Sequence, residues 1–213
     1  MNISNTRIKQ LLLFLLVGFF SFSGFSQSET NTWKAQLAVG VNSPNQSAFV
    51  ANFKAKSVNM PTVNLGLQRM FSRRLGAKLD YGFNRISDVD NTKSPAFKLN
   101  YSRVNAQLVY DLGDVIRLSN NLAIVGHAGP GYSWVKPLGD YAGNDTSFLN
   151  LMGGLEFHYG LSRTLSLFLD ASYIYSLGGD YDPISDGFGS FNGNLITATL
   201  GLSFSLSGCY FCE

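Results

Sequence analysis

Hydrophobic and polar residues alternate along eight stretches of the chain. In the clearest stretch, LGAKLDYGFNR, Leu75, Leu79 and Phe83 share one face of an extended chain. Lys78 and Asp80 lie on the opposite face. Side chains of a strand point alternately to opposite faces, so a period of two predicts strands rather than helices. The predicted strands are 33–41, 62–71, 75–85, 97–112, 121–135, 148–161, 165–177 and 193–206.

The segments between these strands differ in length. They are 42–61, 72–74, 86–96, 113–120, 136–147, 162–164 and 178–192, and longer segments alternate with shorter ones. In an up-and-down meander, alternate connections lie at the same end of the sheet. One end therefore collects long polar loops and the other collects tighter turns, which is typical of barrels from bacterial outer membranes.

Two of the predicted strands contain an irregularity. In the fourth strand, the apolar positions are odd through Tyr101 and even from Val104 onward. This switch predicts a β-bulge near Ser102 and Arg103. The fifth strand contains Pro130, which lacks the N–H that a strand ladder needs, so we expect a local break there.

Composition indicates which face of the strands meets lipid. Charged residues make up only 14% of the chain, against roughly 25% in ordinary soluble domains. The polar face contains small residues such as Gly82, Ser172 and Gly201, which suit the interior of a narrow barrel. Aromatic residues lie near strand ends on the apolar face, as they do at membrane interfaces. These features predict an all-β fold, an eight-stranded antiparallel up-and-down transmembrane β-barrel.

A second class of barrel fits the same alternation. A secreted or periplasmic lipocalin-like barrel also has eight antiparallel strands, but it points its apolar face inward and binds a small apolar ligand there. The two alternatives predict opposite orientations for the Leu and Tyr side chains of 165–177. They also differ in solubility, because only the lipid-facing barrel requires detergent or a bilayer to fold.

The N-terminal segment predicts a secretory signal peptide. Arg7 and Lys9 precede the apolar run LLLFLLVGFFSF, and a small-x-small pattern ends at Ser26. The run is shorter than the roughly 20 residues that a spanning helix needs. The chain thus divides into a signal peptide at 1–26 and a barrel domain with a short periplasmic tail at 27–213. Without the signal, 14 basic residues balance 14 acidic ones, which argues against nucleic-acid binding.

Several segments resemble one known family. The signal ending GFSQ, YSRVNAQLVYDLGDV, GHAGPGYSWV and the last strand TLGLSFSL are similar to the OmpA-like outer-membrane barrel domain in its Bacteroidetes-type form. The resemblance covers the barrel alone and implies a cell outer membrane location. It implies contact with outer-membrane lipid and lipopolysaccharide, insertion by the barrel assembly machinery, and a monomer. By the same resemblance, the assembly signal comprises Thr199, Gly201, Phe204 and Leu206.

Charged residues on the polar face form the candidate site. Inside a narrow barrel they must pair or become neutral, because isolated buried ions are too costly. We predict a structural charge network that plugs the lumen, and a gated proton or ion path is the alternative use of the same groups. The position of Arg103 depends on the predicted bulge. The network residues are Lys34, Lys78, Asp80, Asp111, Glu156, His158 and Asp170.

No motif predicts catalysis, a metal or a cofactor. Glu156 and His158 share a face, but a catalytic triad also needs an oriented nucleophile, for which Ser133 and Ser172 are nominal candidates. His127 is interpreted as a lumen histidine. Acidic residues in the last long loop, Asp180, Asp182 and Asp186, miss the EF-hand spacing. Cys209 and Cys212 form a tail disulfide or remain thiols.

These observations predict a function. The chain is expected to be a non-enzymatic outer-membrane β-barrel of structural or interaction type. Its long external loops form the contact surface, and their partner is not identified by the sequence.

Overall fold

Eight antiparallel strands form a closed barrel. The computed structural model describes residues 33–49, 52–89, 94–113, 121–162, 164–178 and 190–206. Each strand pairs with its sequence neighbours, which confirms the predicted up-and-down fold. The strands are β1 (Trp33–Pro44), β2 (Asn59–Met70), β3 (Leu75–Ser87), β4 (Lys98–Asp111), β5 (Leu122–Pro137), β6 (Thr146–Gly160), β7 (Leu165–Ser176) and β8 (Leu195–Ser205).

Pairing between β1 and β8 closes the barrel. The register runs without interruption from Lys34 opposite Ser205 to Pro44 opposite Leu195. Closure leaves no strand edge, so the wall has no open row of unpaired backbone N–H and C=O groups, as lipid requires. The described helices are two short 3-10 turns, Gln46–Ala48 and Gly139–Tyr141. In the part of the chain that the structure describes, no helix has the length and apolarity to cross a membrane.

The connections only partly follow the predicted alternation of length. Those at one end, which we call the long-loop end, are 45–58, 88–97, 138–145 and 177–194. Those at the other end, the short-turn end, are 71–74, 112–121 and 161–164. The alternation fails in the middle of the chain, because β5 and β6 extend further than predicted and shorten their loop to 138–145.

The predicted bulge near Ser102 and Arg103 is wrong. The register between β3 and β4 is continuous from Leu75 opposite Tyr110 to Ser87 opposite Lys98. A register shift occurs instead between β1 and β2, at Gly40 and Asn42. The odd residues of β4 point inward, and the switch in the pattern arises because Leu99 and Tyr101 lie in an apolar part of the interior.

Apolar side chains fill the barrel at the long-loop end, and we call this cluster the aromatic cap. It combines strand residues with side chains from the loops, which fold into the mouth of the barrel. The rings of Phe49 and Phe191 pack in a tilted arrangement with centroids 4.9 Å apart, and the ring centroids of Phe53 and Phe97 are 5.6 Å apart. The cap comprises Phe49, Phe53, Ala55, Ile86, Phe97, Leu99, Tyr101, Val135, Phe148, Met152, Ile174, Phe191 and Leu195.

The expected break at Pro130 affects only one side of β5. Pairing with β4 runs from Leu99 opposite Pro137 to Asn105 opposite Gly131, then resumes at Leu108 opposite Ala128. Pairing with β6 continues through Pro130. At the interruption the strands are in close contact, since a Cβ on Gly129 would lie 2.0 Å from the backbone oxygen of Ala106.

Gly129→Ala is therefore expected to destabilise the barrel by about 1–3 kcal/mol, the usual cost of an added methyl in a packed site. Gly153→Ala on β6 is the matched control, because its Cβ would meet no atom closer than 3.8 Å. We expect that control to change stability by no more than about 0.5 kcal/mol. Urea unfolding in phospholipid vesicles measures both, and equal stabilities for the two variants would contradict the close approach.

Candidate functional site

The two faces of the wall differ as a membrane barrel requires. Leu169, Tyr173 and Leu200 point outward and are 49%, 46% and 52% exposed. The alternate residues point inward and are buried, including Asp170 and Ser172 of β7. The lipocalin-like alternative needs the Leu and Tyr side chains inside, so the structure does not favour it. The inward polar residues form the candidate functional site.

Arg103 lies at the centre of the interior and is fully buried. Its guanidinium donates to the Asp80 carboxylate, to Asn64 Oδ1 at 3.2 Å and to Asn105 Oδ1 at 3.2 Å. The hydrogen bonds continue toward the long-loop end, from Asn105 to Asn150 at 2.6 Å and from Asn150 to Ser133 at 2.8 Å. Arg103 thus links its own strand, β4, to β2 and β3, and the hydrogen bonds from Asn105 continue the network to β6 and β5.

A second ion pair crosses the barrel from β3 to β6. Lys78 Nζ lies 2.5 Å from Glu156 Oε1, and both side chains are almost completely buried. The other carboxylate oxygen of Glu156 accepts from Gln36 Nε2 at 3.0 Å and lies 2.7 Å from His158 Nε2. His158 Nδ1 lies 3.2 Å from Ser166 Oγ. Both oxygens of the Glu156 carboxylate therefore have polar partners, as a buried charge requires.

A third group surrounds Asp170 on β7. Ser172 donates to the Asp170 carboxylate, and His127 Nε2 lies 3.5 Å from Asp170 Oδ2. The buried side chains of Lys78 and Arg103 thus lie among three buried acidic residues, Asp80, Glu156 and Asp170. We call these three groups together the central polar network.

One part of the central polar network has the donor spacing of a metal site. Ligand atoms of His127, Glu156 and Asp170 all lie within 4.8 Å of one another, which suits a metal ion by distance. However, the Lys78 ammonium already occupies one side of the Glu156 carboxylate at 2.5 Å and would repel a second cation. The donor set therefore fits an internal salt bridge better than a metal centre.

Little space remains beside the central polar network. A cavity of about 10 Å³ lies between Gln36, Lys78, Glu156 and Asp170, which is roughly the space of one water molecule. The two candidate nucleophilic serines are buried. Ser133 Oγ lies 2.7 Å from Tyr101 Oη, and Ser172 contacts Asp170. Neither serine lines this small cavity.

The remaining two predicted network residues lie apart, at the short-turn end. A cavity of about 620 Å³ opens there, and its lining includes Lys34, Asp111, His158, Ser166 and Ser203. We call it the vestibule. Asp111 accepts from the backbone N–H of Gly113 at 2.8 Å, a local contact rather than one across the lumen. His158 contacts both the vestibule and Glu156.

The remaining predicted features are the assembly signal, the signal peptide, the acidic loop residues and the two cysteines. In the expected assembly signal, Thr199 and Gly201 are buried inside the barrel, whereas Phe204 and Leu206 are exposed on its outward face. The predicted signal peptide, the acidic residues at 180–186, and the cysteines at 209 and 212 lie outside the described residues.

Sequence reasoning missed part of the network. It left the position of Arg103 open because of the predicted bulge, and it interpreted His127 as a lumen histidine without placing it in the network. It also omitted neutral residues such as Gln36, Asn64 and Asn105, which supply hydrogen bonds to the charges. The alternating pattern places these residues on the inward face, and this was the signal in the sequence that could have identified them.

A closed barrel with an apolar outward face and a polar interior defines a transmembrane β-barrel. The sequence matches a family model described as outer membrane protein beta-barrel domain over residues 12–204. The chain therefore belongs to this outer-membrane family, and the outer membrane, with its lipid and lipopolysaccharide, is its location. The Bacteroidetes-type assignment stays a prediction. A search of curated proteins found no match.

Solved structures show the same fold. The chain is 14% identical to Neisserial surface protein A, with a TM-score of 0.55 and coverage of 84% of this chain and 98% of that one. OprG from Pseudomonas aeruginosa is 13% identical, with a TM-score of 0.54 and coverage of 82% and 96%. A major outer membrane protein from Thermus thermophilus is 11% identical, with a TM-score of 0.56 and coverage of 82% and 98%.

Proposed function

We propose that this protein is a non-conducting, non-enzymatic outer-membrane barrel with a structural or interaction role. The observation that supports this proposal is the filling of the interior. The central polar network joins side chains from opposite walls, and the aromatic cap fills the long-loop end above it. Ions entering from the vestibule would have to break buried ion pairs and then cross an apolar layer.

The long-loop end is proposed to face outside the cell, as in other outer-membrane barrels with short periplasmic turns. Three buried loop residues, Phe49, Phe53 and Phe191, fix the bases of the first and last long loops in the barrel mouth. Phe97 does the same at the end of the second long loop. Because these aromatic side chains pack inside the barrel mouth, the described parts of these loops are anchored to the barrel that presents them to a partner.

The remaining proposals follow from the family and the sequence. Residues 1–26 act as the signal peptide that directs export, and residues 27–213 form the barrel with its tail. The barrel assembly machinery inserts the chain and uses the last strand, with Thr199, Gly201, Phe204 and Leu206 as the assembly signal. The folded protein is a monomer.

Ion conductance tests the proposed function. Folded protein, verified by its faster electrophoretic migration before boiling, is added to a planar lipid bilayer in concentrated salt, and a general porin serves as the positive control. We expect no stepwise current from this protein because the lumen holds no continuous aqueous path. Reproducible single-channel steps from the folded wild-type protein would refute the plugged lumen.

A further inference from the structure

A groove of about 640 Å³ lies on the outward face of the barrel across β1 to β5. Most outward positions carry Leu, Tyr or other large side chains. The floor of the groove instead carries small residues, Ala77, Ala106, Ala128 and Pro130, between taller leucines of the neighbouring positions. The wall is therefore locally indented on a surface that faces lipid.

The rim of the groove at the short-turn end combines aromatic rings with positive charge. Arg69 lies on the outward row of β2, with its guanidinium 5.3 Å from the Trp33 ring centroid and 5.9 Å from that of Phe71. All three residues line the groove. The turn that follows Phe71 adds Arg73 and Arg74, both exposed. Three arginines thus lie within six consecutive residues, and the first of them, Arg69, lines the groove.

We propose that this groove binds one anionic phospholipid. An acyl chain lies against the small residues of the floor, and the headgroup phosphate meets the arginines at the rim. Basic clusters at a membrane surface attract anionic headgroups, and guanidinium groups bind phosphate strongly.

The size of the groove agrees with this occupant. Its volume of about 640 Å³ falls in the range of roughly 300–1,000 Å³ for small-molecule sites. From Phe71 at the rim to Leu67, the chain extends about 13 Å along the strand direction. With the usual strand tilt of about 35–45°, this covers about 10 Å of the apolar band of about 25 Å. The groove therefore lies within one leaflet, where it can hold part of a single lipid chain. In the orientation proposed above, this is the periplasmic leaflet.

A second copy of the chain fits less well. Symmetric dimers bring the same surface patch of each copy together. Such a contact would place the arginines at 69, 73 and 74 of one copy near those of the other. Like charges in a low-dielectric environment repel, so charge complementarity favours the lipid.

The chain contains a built-in reporter for the test. It has two tryptophans; Trp33 lines the groove, and Trp134 lies near the other end of the barrel on β5. In a Trp134→Phe variant, Trp33 is the only tryptophan, so its emission can be excited selectively, and bromine on a lipid chain quenches it only on contact. The variant is reconstituted in phosphatidylcholine vesicles containing increasing fractions of brominated phosphatidylglycerol or brominated phosphatidylcholine.

We expect phosphatidylglycerol to quench Trp33 with a preference of at least about fivefold over phosphatidylcholine. Arg73→Gln with Arg74→Gln should remove most of that preference. Ala106→Phe, which fills the floor, should reduce quenching by both lipids, whereas Ala171→Phe on the far wall should not. The reciprocal Trp33→Phe variant, reporting from Trp134, should show no headgroup preference.

Equal quenching of Trp33 by the two lipids would overturn the proposal, as would a preference that survives the arginine substitutions. An absence of quenching by either lipid would also overturn it, because another molecule, such as a second copy, would then cover the groove. Each variant is first shown to be folded by heat-modifiable migration. These readouts do not depend on conductance, so a failure here is separate from a failure of the plugged-lumen proposal.

Discussion

Lys78→Met is expected to destabilise the folded barrel by about 3–5 kcal/mol, because it leaves a buried carboxylate without its cation. Lys78 Nζ lies 2.5 Å from Glu156 Oε1, and the two side chains are 2% and 1% exposed. Methionine keeps the length and apolar stem of lysine, so the change removes the charge rather than the packing. Urea unfolding in phospholipid vesicles measures the loss of stability.

The double variant Lys78→Met with Glu156→Gln is the matched control. Removing both charges of a buried pair is often close to neutral. The introduced glutamine side chain is expected to keep hydrogen bonds with Gln36 and His158, so most of the stability should return. A double variant as unstable as Lys78→Met would show that the ion pair is not the cause, and a stable single variant would contradict the burial of the pair.

Leu169→Arg is expected to cost about 2–4 kcal/mol, the range for a basic residue near the bilayer midplane on the lipid face. Leu169 is 49% exposed and lies in the middle part of β7, opposite Phe157 and Leu200. The guanidinium would have to enter hydrocarbon or bend toward an interface. The same urea unfolding in vesicles gives the difference from wild type.

Leu177→Arg provides the depth control. Leu177 is 52% exposed and follows the last residue of β7, Ser176, at the long-loop end. Near an interface the cost of arginine falls to about 0–1 kcal/mol. If both arginine variants were equally stable, Leu169 would not face the hydrocarbon, and the outward assignment of the Leu and Tyr face would be wrong.

The strands and their orientation could be predicted because both depend on local alternation. In 165–177, each residue's face follows from its position, and the charge-poor composition indicates that the apolar face meets lipid. Strand order followed because consecutive strands of a meander pair. These inferences needed no contact between distant residues.

The bulge prediction failed for an instructive reason. It assumed that the inward face has one polarity along the whole strand. In β4, the inward residues Leu99 and Tyr101 belong to the aromatic cap, whereas Arg103 and Asn105 belong to the central polar network. The strand stays regular, and it is the environment inside the barrel that changes. Loop side chains complete that apolar layer, and their inward packing has no periodic signal in the sequence.

The pairs within the site were also beyond sequence reasoning. Lys78 and Glu156 are separated by 78 positions and meet only because the barrel closes. Alternation shows that each points inward, but not its height along the axis or its partner. For the same reason, the sequence could not show that Lys34 and Asp111 lie at the vestibule. Nor could it show that His127 contacts Asp170 in the central polar network.

Accessibility on intact cells tests the central claim most directly: that the barrel spans the outer membrane with its long loops outside. In a background with Cys209 and Cys212 changed to serine, Ser57→Cys marks a long loop and Arg73→Cys marks a short turn; both native residues are exposed. A membrane-impermeant maleimide should label Ser57→Cys on intact cells and label Arg73→Cys only after the outer membrane is permeabilised. Labelling in the reverse pattern, or equal labelling of both variants on intact cells, would contradict the claim.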